Sequence, residues 1–182
     1  AAIQLSEVEG PNRLIAISSA IPGEGKSSVA SSLATALAVN QRVLLIEADL
    51  RAPSLKRVMH IPKQQPGLME LLRETEPLEA CIWKFPDSNL DVLAVASRPP
   101  NPSEVINSER FTALLRSLTE RYDRIIIDTP PSQAAADALI IGAKCDATLL
   151  VVRADGLHRH TLAASARQFR SSHVRVLGAV LN

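Results

Sequence analysis

Ser18-Ser19-Ala20-Ile21-Pro22-Gly23-Glu24-Gly25-Lys26-Ser27-Ser28 follows the apolar run Leu14-Ile15-Ala16-Ile17 and leads into a segment where Val29, Leu33 and Leu37 recur every four residues. Strand, glycine turn, then helix is the context that a phosphate-binding loop requires. Gly23 and Gly25 let the backbone turn tightly and bring its N–H groups onto an anion. The free amides and positive end of the following helix add to that attraction. Pro22, Gly23, Glu24, Gly25, Lys26, Ser27 and Ser28 together form the candidate nucleotide-binding turn. Lys26 reaches the β- and γ-phosphates, and Ser27 offers a hydroxyl to Mg²⁺. Against G-x-x-x-x-G-K-[ST], one position departs: Ala20 stands where the first glycine belongs. The expected ligands are ATP or ADP and Mg²⁺.

Outward from this loop, apolar strands alternate with helices. Val43-Leu44-Leu45-Ile46, Ile125-Ile126-Ile127 and Ala147 to Val152 are continuous apolar runs of the kind buried on both faces of a sheet. Helices are predicted over 26–39, 54–59, 67–73, after Ser108, over 134–144 and over 158–170, with Asn40 a left-handed residue ending the first. Ser108 caps an amphipathic helix whose apolar stripe is Phe111, Leu114, Leu115 and Leu118. The prolines in Arg98-Pro99-Pro100-Asn101-Pro102-Ser103-Glu104 exclude a helix interior there. Ile3 and Leu5 are read as the end of a helix or the cover of a sheet edge. The pattern predicts an α/β fold: a doubly wound, mostly parallel sheet with helices on both faces, in one domain spanning residues 1–182.

Two strands end in carboxylates. Asp128 closes Arg124-Ile125-Ile126-Ile127-Asp128, the form of a Walker B acid, and Glu47 and Asp49 close the second strand. A phosphate loop binds nucleotide; acids at neighbouring strand ends add the means to hold Mg²⁺ and orient a nucleophile. The candidate catalytic set is Lys26, Glu47, Asp49 and Asp128, and the candidate metal ligands are Ser27, Asp49 and Asp128. Arg51 and Arg153 also follow strand ends, where phosphate, another subunit's acid or solvent are equal readings. His158 and His160, two apart, do not share a helix face and are read as surface residues.

With 182 residues, 46% hydrophobic, the chain can build a substantial core. Twenty basic against nineteen acidic residues give no whole-chain argument for a nucleic-acid partner. Cys81 and Cys145 have neither metal-ligand nor redox-motif spacing, consistent with reduced thiols in a cytoplasmic domain.

In order and spacing, Ser19 to Ser27, Val43 to Pro53, Pro99 to Glu104, Tyr122 to Pro131 and Leu177 to Asn182 resemble the motifs of the bacterial tyrosine kinases of capsule and exopolysaccharide systems. These include Walker A at Ser19 to Ser27 and Walker A′ at Val43 to Pro53. The resemblance implies a P-loop NTPase fold related to the deviant-Walker ATPases that partition chromosomes or place division sites. It implies MgATP-dependent phosphorylation of tyrosines in a C-terminal cluster, passed between subunits of a homo-oligomeric ring, and an adenine contact at Asn182. A transmembrane polysaccharide co-polymerase or activator region is the implied partner, at the inner face of the cell membrane.

Three features set this sequence apart. Glu47 replaces the family's first Walker A′ aspartate, the candidate to position or deprotonate a tyrosine hydroxyl. The family's tyrosine-rich tail would begin beyond Asn182, and its E-x-x-R-x-x-R segment would precede Ala1. The expectation is therefore the catalytic core of a longer protein. Tyr122, the single tyrosine, is expected to pack against the core and not to accept phosphate. Two other readings stand beside the kinase: a nucleotide-switched assembly module without kinase activity, and a partition-type ATPase. Ile21 argues against the second, because that position carries a signature lysine in the partition proteins.

Overall fold

The computed structural model describes residues 12–154 and 159–182. The readings of Ile3 and Leu5 and of His158 lie outside these residues. Seven strands, β1 (Leu14–Ser19), β2 (Val43–Glu47), β3 (Trp83–Lys84), β4 (Leu90–Leu93), β5 (Arg124–Asp128), β6 (Ala147–Val152) and β7 (Val176–Leu181), form one sheet in the order β3-β4-β2-β5-β1-β6-β7. Every pairing is parallel except β3 with β4. Helices α1 (Lys26–Leu37), α2 (Leu55–Val58), α3 (Leu68–Leu72), α4 (Leu78–Cys81), α5 (Pro102–Asn107), α6 (Glu109–Thr119), α7 (Asp137–Lys144) and α8 (Arg159–Ser171) connect them.

The continuous apolar runs are explained by the two cores they separate. Leu14 and Ala16, Leu44 and Ile46, and Ile125 and Ile127 face one cluster with Phe111, Leu115 and Leu118. Ile15 and Ile17, Val43 and Leu45, and Ile126 face the other, with Ala30 and Ala34. A strand alternates its side chains across the sheet, so burial on both faces demands apolar residues at every position. The chain carries the doubly wound α/β fold.

The first helix packs differently from its sequence pattern. Ala30 and Ala34 are wholly buried, while Val29, Leu33 and Leu37 are partly buried at the margin. Small residues against the sheet let the helix axis approach closely, and its N-terminus is the end that carries the loop. Asn40 is not left-handed: α1 ends at Leu37, and the Asn40 and Gln41 amides both bond the Leu37 carbonyl. Pro102 opens α5, a position where the missing N–H costs nothing. The prolines thus exclude a helix only up to that residue. Ser108 caps α6 as expected, its hydroxyl accepting from the Phe111 amide at 3.2 Å. The 134–144 helix begins only at Asp137, because Ala134 and Ala135 turn back onto the Pro131 carbonyl. The short α4 and the antiparallel edge strand β3 have no counterpart in the sequence reading. No helix among the described residues is long and apolar enough to cross a membrane.

Candidate nucleotide site

Strand order brings the motifs together. β2, β5 and β1 are neighbours, and their carboxyl ends carry Glu47 and Asp49, Asp128, and the glycine turn respectively. In register, Asp128 lies opposite Ile17 on one side and Glu47 on the other. The carboxyl edge of a parallel sheet is where such folds bind ligands. Pro22, Gly23, Gly25, Lys26, Ser27, Ser28, Asp49, Arg51 and Ser54 line a cavity of about 400 Å³ there, closed on one side by Pro130 and Pro131.

Gly23 and Gly25 are left-handed, with φ of 81° and 87°. Gly25 is the N-cap of α1 and has no room for a side chain: a Cβ would stand 2.1 Å from the Asn182 amide nitrogen. Asn182, at the end of β7, donates to the Glu24 carbonyl at 3.1 Å, and its own amide bonds Val152. Glu24 turns away from the cavity and is buried. One carboxylate oxygen accepts from the Ile21 amide at 3.0 Å and the other from the Arg153 amide at 3.3 Å. This side chain is therefore an internal brace of the turn, tying it to the end of β6. Sequence reasoning assigned Glu24 to the ligand because the loop pattern does not tell which way a side chain points.

Asp128 is wholly buried, and neither carboxylate oxygen has a hydrogen-bond partner. Burial pushes its pKa up to about 7, while the nearby Ser27 hydroxyl and Lys26 ammonium work in the opposite direction. A buried carboxylate with both oxygens unpartnered, beside a phosphate loop, is suited to hold a cation. Lys26, also largely buried, forms no ion pair among the described residues. Asp49 lines the cavity, with one oxygen accepting from the Ala52 amide at 3.0 Å. No group of three or more His, Cys, Asp or Glu side chains among the described residues could hold a metal. Ser27 and one or two aspartates fit Mg²⁺, which keeps several waters and takes the rest of its shell from substrate phosphates.

Glu47 does not line this cavity. It stands in a neighbouring cleft of about 610 Å³ with Lys56, Arg57, His60 and Lys63. One of its oxygens accepts from the Ser54 amide and, at 2.7 Å, from the Leu55 amide. The other accepts from the Val95 amide at 2.8 Å. Burial raises its pKa, and the three amide bonds pull against that rise.

Arg51 is engaged within the chain, at the rim of the cavity. Its guanidinium bonds buried Asp137 at 2.9 Å and the Ser103 hydroxyl at 2.9 Å, and Ser103 donates to Asp137 at 2.6 Å. Walker A′, the proline-rich segment and α7 are thereby joined at the rim. Asp137, which no sequence motif singled out, is the centre of that network. Its only advance signal was an acid in the first turn of the helix predicted over 134–144. Arg153 is exposed, and its backbone serves Glu24. Tyr122 is half-buried and donates to Asp91 at 2.6 Å, at the amino ends of the strands. His160 is exposed.

Residues 12–155 match the AAA domain family. The chain is 37% identical over 182 residues to the tyrosine-protein kinase Ptk of Acinetobacter johnsonii, covering 100% of this chain and 25% of that protein. It is 33% identical over 181 residues to the tyrosine-protein kinase YwqD of Bacillus subtilis, covering 99% of this chain and 76% of that one. The chain thus spans about a quarter of Ptk and about three quarters of YwqD. The kinase domain of VpsO superposes with a TM-score of 0.94 at 33% identity, over 100% of this chain and 89% of that one. The septum site-determining protein MinD of Pyrococcus horikoshii, complexed with Mg-ADP, superposes with a TM-score of 0.76 at 24% identity, over 93% of this chain and 70% of that one. That more distant likeness shows the shared P-loop NTPase fold.

Proposed function

Because the chain belongs to the bacterial tyrosine-protein kinases, we propose that it is the phosphoryl-transferring core of an ATP-dependent kinase acting on protein tyrosines. The observation that carries this reading is Asp128: a buried acid with two unpartnered oxygens beside Lys26 and Ser27, below a cavity lined by the glycine turn. The turn's backbone amides and the Lys26 ammonium hold the β- and γ-phosphates. Ser27 and Asp128, with Asp49 directly or through water, hold Mg²⁺, which when bound neutralises charge on the phosphate oxygens. The family resemblance gives Asn182 the contact to the adenine. The tyrosyl oxygen attacks the γ-phosphorus as the bond to the β,γ-bridging oxygen breaks. ADP leaves with that electron pair, and the phenolic proton passes to a carboxylate at the rim, for which Asp49 is our candidate.

Tyr122 is not the acceptor in this reading. The strand from Tyr122 to Asp128 spans on the order of 15–20 Å, putting the ring at the opposite end of the sheet. The acceptor belongs to a segment outside these residues or to another molecule. A homo-oligomeric ring, a membrane-embedded polysaccharide co-polymerase as partner, and a cytoplasmic place at the inner face of the membrane complete the proposal. All three rest on the family resemblance. The test uses the whole natural protein with MgATP, probed for phosphotyrosine. We expect signal that Asp128→Asn abolishes and that never maps to Tyr122.

A second reading is favoured by one observation: Glu47, in the place of the family's catalytic-base candidate, is withheld from the cavity. A nucleotide-switched assembly module would then bind MgATP without forming phosphotyrosine. MgATP binding with no phosphotyrosine on any chain decides for it.

A further inference from the structure

Glu47 is the last residue of β2, and its carboxylate receives amides from two separate segments. Ser54 and Leu55 open α2, while Val95 lies just beyond β4. A carboxylate offers about four acceptor positions, so three are occupied by backbone donors. The side chain is fully buried and faces the neighbouring cleft. With three acceptor positions held and its side chain turned to the neighbouring cleft, Glu47 is not aimed at a hydroxyl in the nucleotide cavity.

The clamp is connected to the phosphate loop. Ser54, whose amide Glu47 holds, donates its hydroxyl to the Ser27 hydroxyl oxygen at 2.9 Å. Between Glu47 and Ser54 runs the turn that carries Asp49 and Arg51, closed by the Asp49–Ala52 bond. Fixing both ends of that turn fixes where Asp49 meets the cavity. Reach explains the residue type. An aspartate at this position is shorter by one carbon–carbon bond, about 1.5 Å, too much to keep amides on two different segments.

We infer that Glu47 is a positioning residue: its carboxylate ties the start of α2 and the end of β4 together, and through Ser54 it sets the Ser27 hydroxyl and Asp49 for the metal–nucleotide complex. This rests on the nucleotide-site reading above but not on tyrosine as the acceptor. The clamp also accounts for a glutamate at a position the family's resemblance gives to aspartate.

Two measurements test it. In the ligand-free protein, amide hydrogen exchange at Ser54, Leu55 and Val95 should be slow, and Glu47→Gln should accelerate it on at least one of the two segments, because the side-chain amide can offer its oxygen to only one side of the clamp and presents N–H to the other. Unchanged protection at these amides overturns the inference. For binding, MgADP and metal-free ADP are titrated onto Glu47→Asp, Ser54→Ala and the double variant. Loss of one hydrogen bond in a connected chain predicts about a five- to tenfold weakening of MgADP for each single variant. Metal-free ADP should change less than about twofold, and the double variant should be no weaker than the worse single one. Ser54→Ala leaves the clamp intact, so it remains informative if a Glu47 variant fails to fold. Full MgADP affinity in Glu47→Asp and Ser54→Ala, with phosphoryl transfer lost only in the former, would make Glu47 a direct catalytic group and refute a positioning role. Absence of phosphotyrosine in the wild-type protein bears on the kinase proposal alone, since hydrogen exchange and ADP binding need no acceptor.

Discussion

Gly25→Ala is the substitution whose cost the geometry divides most cleanly. Gly25 sits at φ 87°, where an alanine costs about 1–2 kcal/mol in the backbone alone. Its Cβ would also lie 2.1 Å from the Asn182 amide nitrogen, so that side chain must swing away and give up its bond to the Glu24 carbonyl. That bond contributes about 0.5–1.5 kcal/mol, which brings the expected loss to about 2–3 kcal/mol. Gly23 supplies the control: at φ 81° a Cβ there meets nothing within 4 Å, so Gly23→Ala should lose only the backbone part. Asn182→Ala removes the obstacle, and in that background Gly25→Ala should fall to the Gly23→Ala value. The assay is urea unfolding of the four chains that combine positions 25 and 182, with Gly23→Ala beside them. The cycle should show a coupling of about 1 kcal/mol. A Gly25→Ala cost that is the same with asparagine or alanine at 182 would refute the claim that Asn182 braces the loop.

Removing Mg²⁺ and nucleotide exposes the burden of Asp128. Its folded pKa, raised from 3.8 to about 7, means the native state holds the proton more tightly than the unfolded chain, so stability falls as pH rises across that window. Asn cannot titrate, so thermal unfolding of Asp128→Asn should gain on wild type from pH 4 toward pH 8; parallel curves would refute the buried, unpartnered carboxylate. Tyr122→Phe removes the 2.6 Å bond to Asp91 and should cost about 1–2 kcal/mol in denaturant while leaving MgADP affinity unchanged, because the ring lies at the far end of the sheet. A fall in nucleotide affinity would contradict that placement. Arg51→Ala leaves a buried Asp137 with only Ser103 and should destabilise by about 2–4 kcal/mol. Asp137→Ala frees an arginine that is already 43% exposed and should cost less, and the reverse order in unfolding experiments would refute the network's asymmetry.

The sequence by itself determined the buried strands of the sheet and most of the residues that line the candidate cavity. Strands buried on both faces must be apolar throughout, so β1, β2, β5 and β6 stand out from their surroundings. A phosphate loop needs glycine, lysine and serine at set spacing, which is local chemistry written in adjacent residues. Short edge elements escaped because Trp83-Lys84 and Leu78 to Cys81 carry too few residues for a period to show; contacts across the fold decide them. Helix α1 was legible as a helix but not in its facing, since alanines and leucines satisfy the same spacing. Only the tertiary structure decided what the charged groups do. Glu24 and Glu47 lie in motifs that suggest a ligand-facing role, and Asp137 lies in no motif at all. Their directions depend on donors distant in sequence: the Arg153 amide for Glu24, Val95 for Glu47, and Arg51 with Ser103 for Asp137. A buried carboxylate goes where amides and guanidinium groups converge, and that convergence exists only once strands β2, β4 and β6 and helix α7 are assembled.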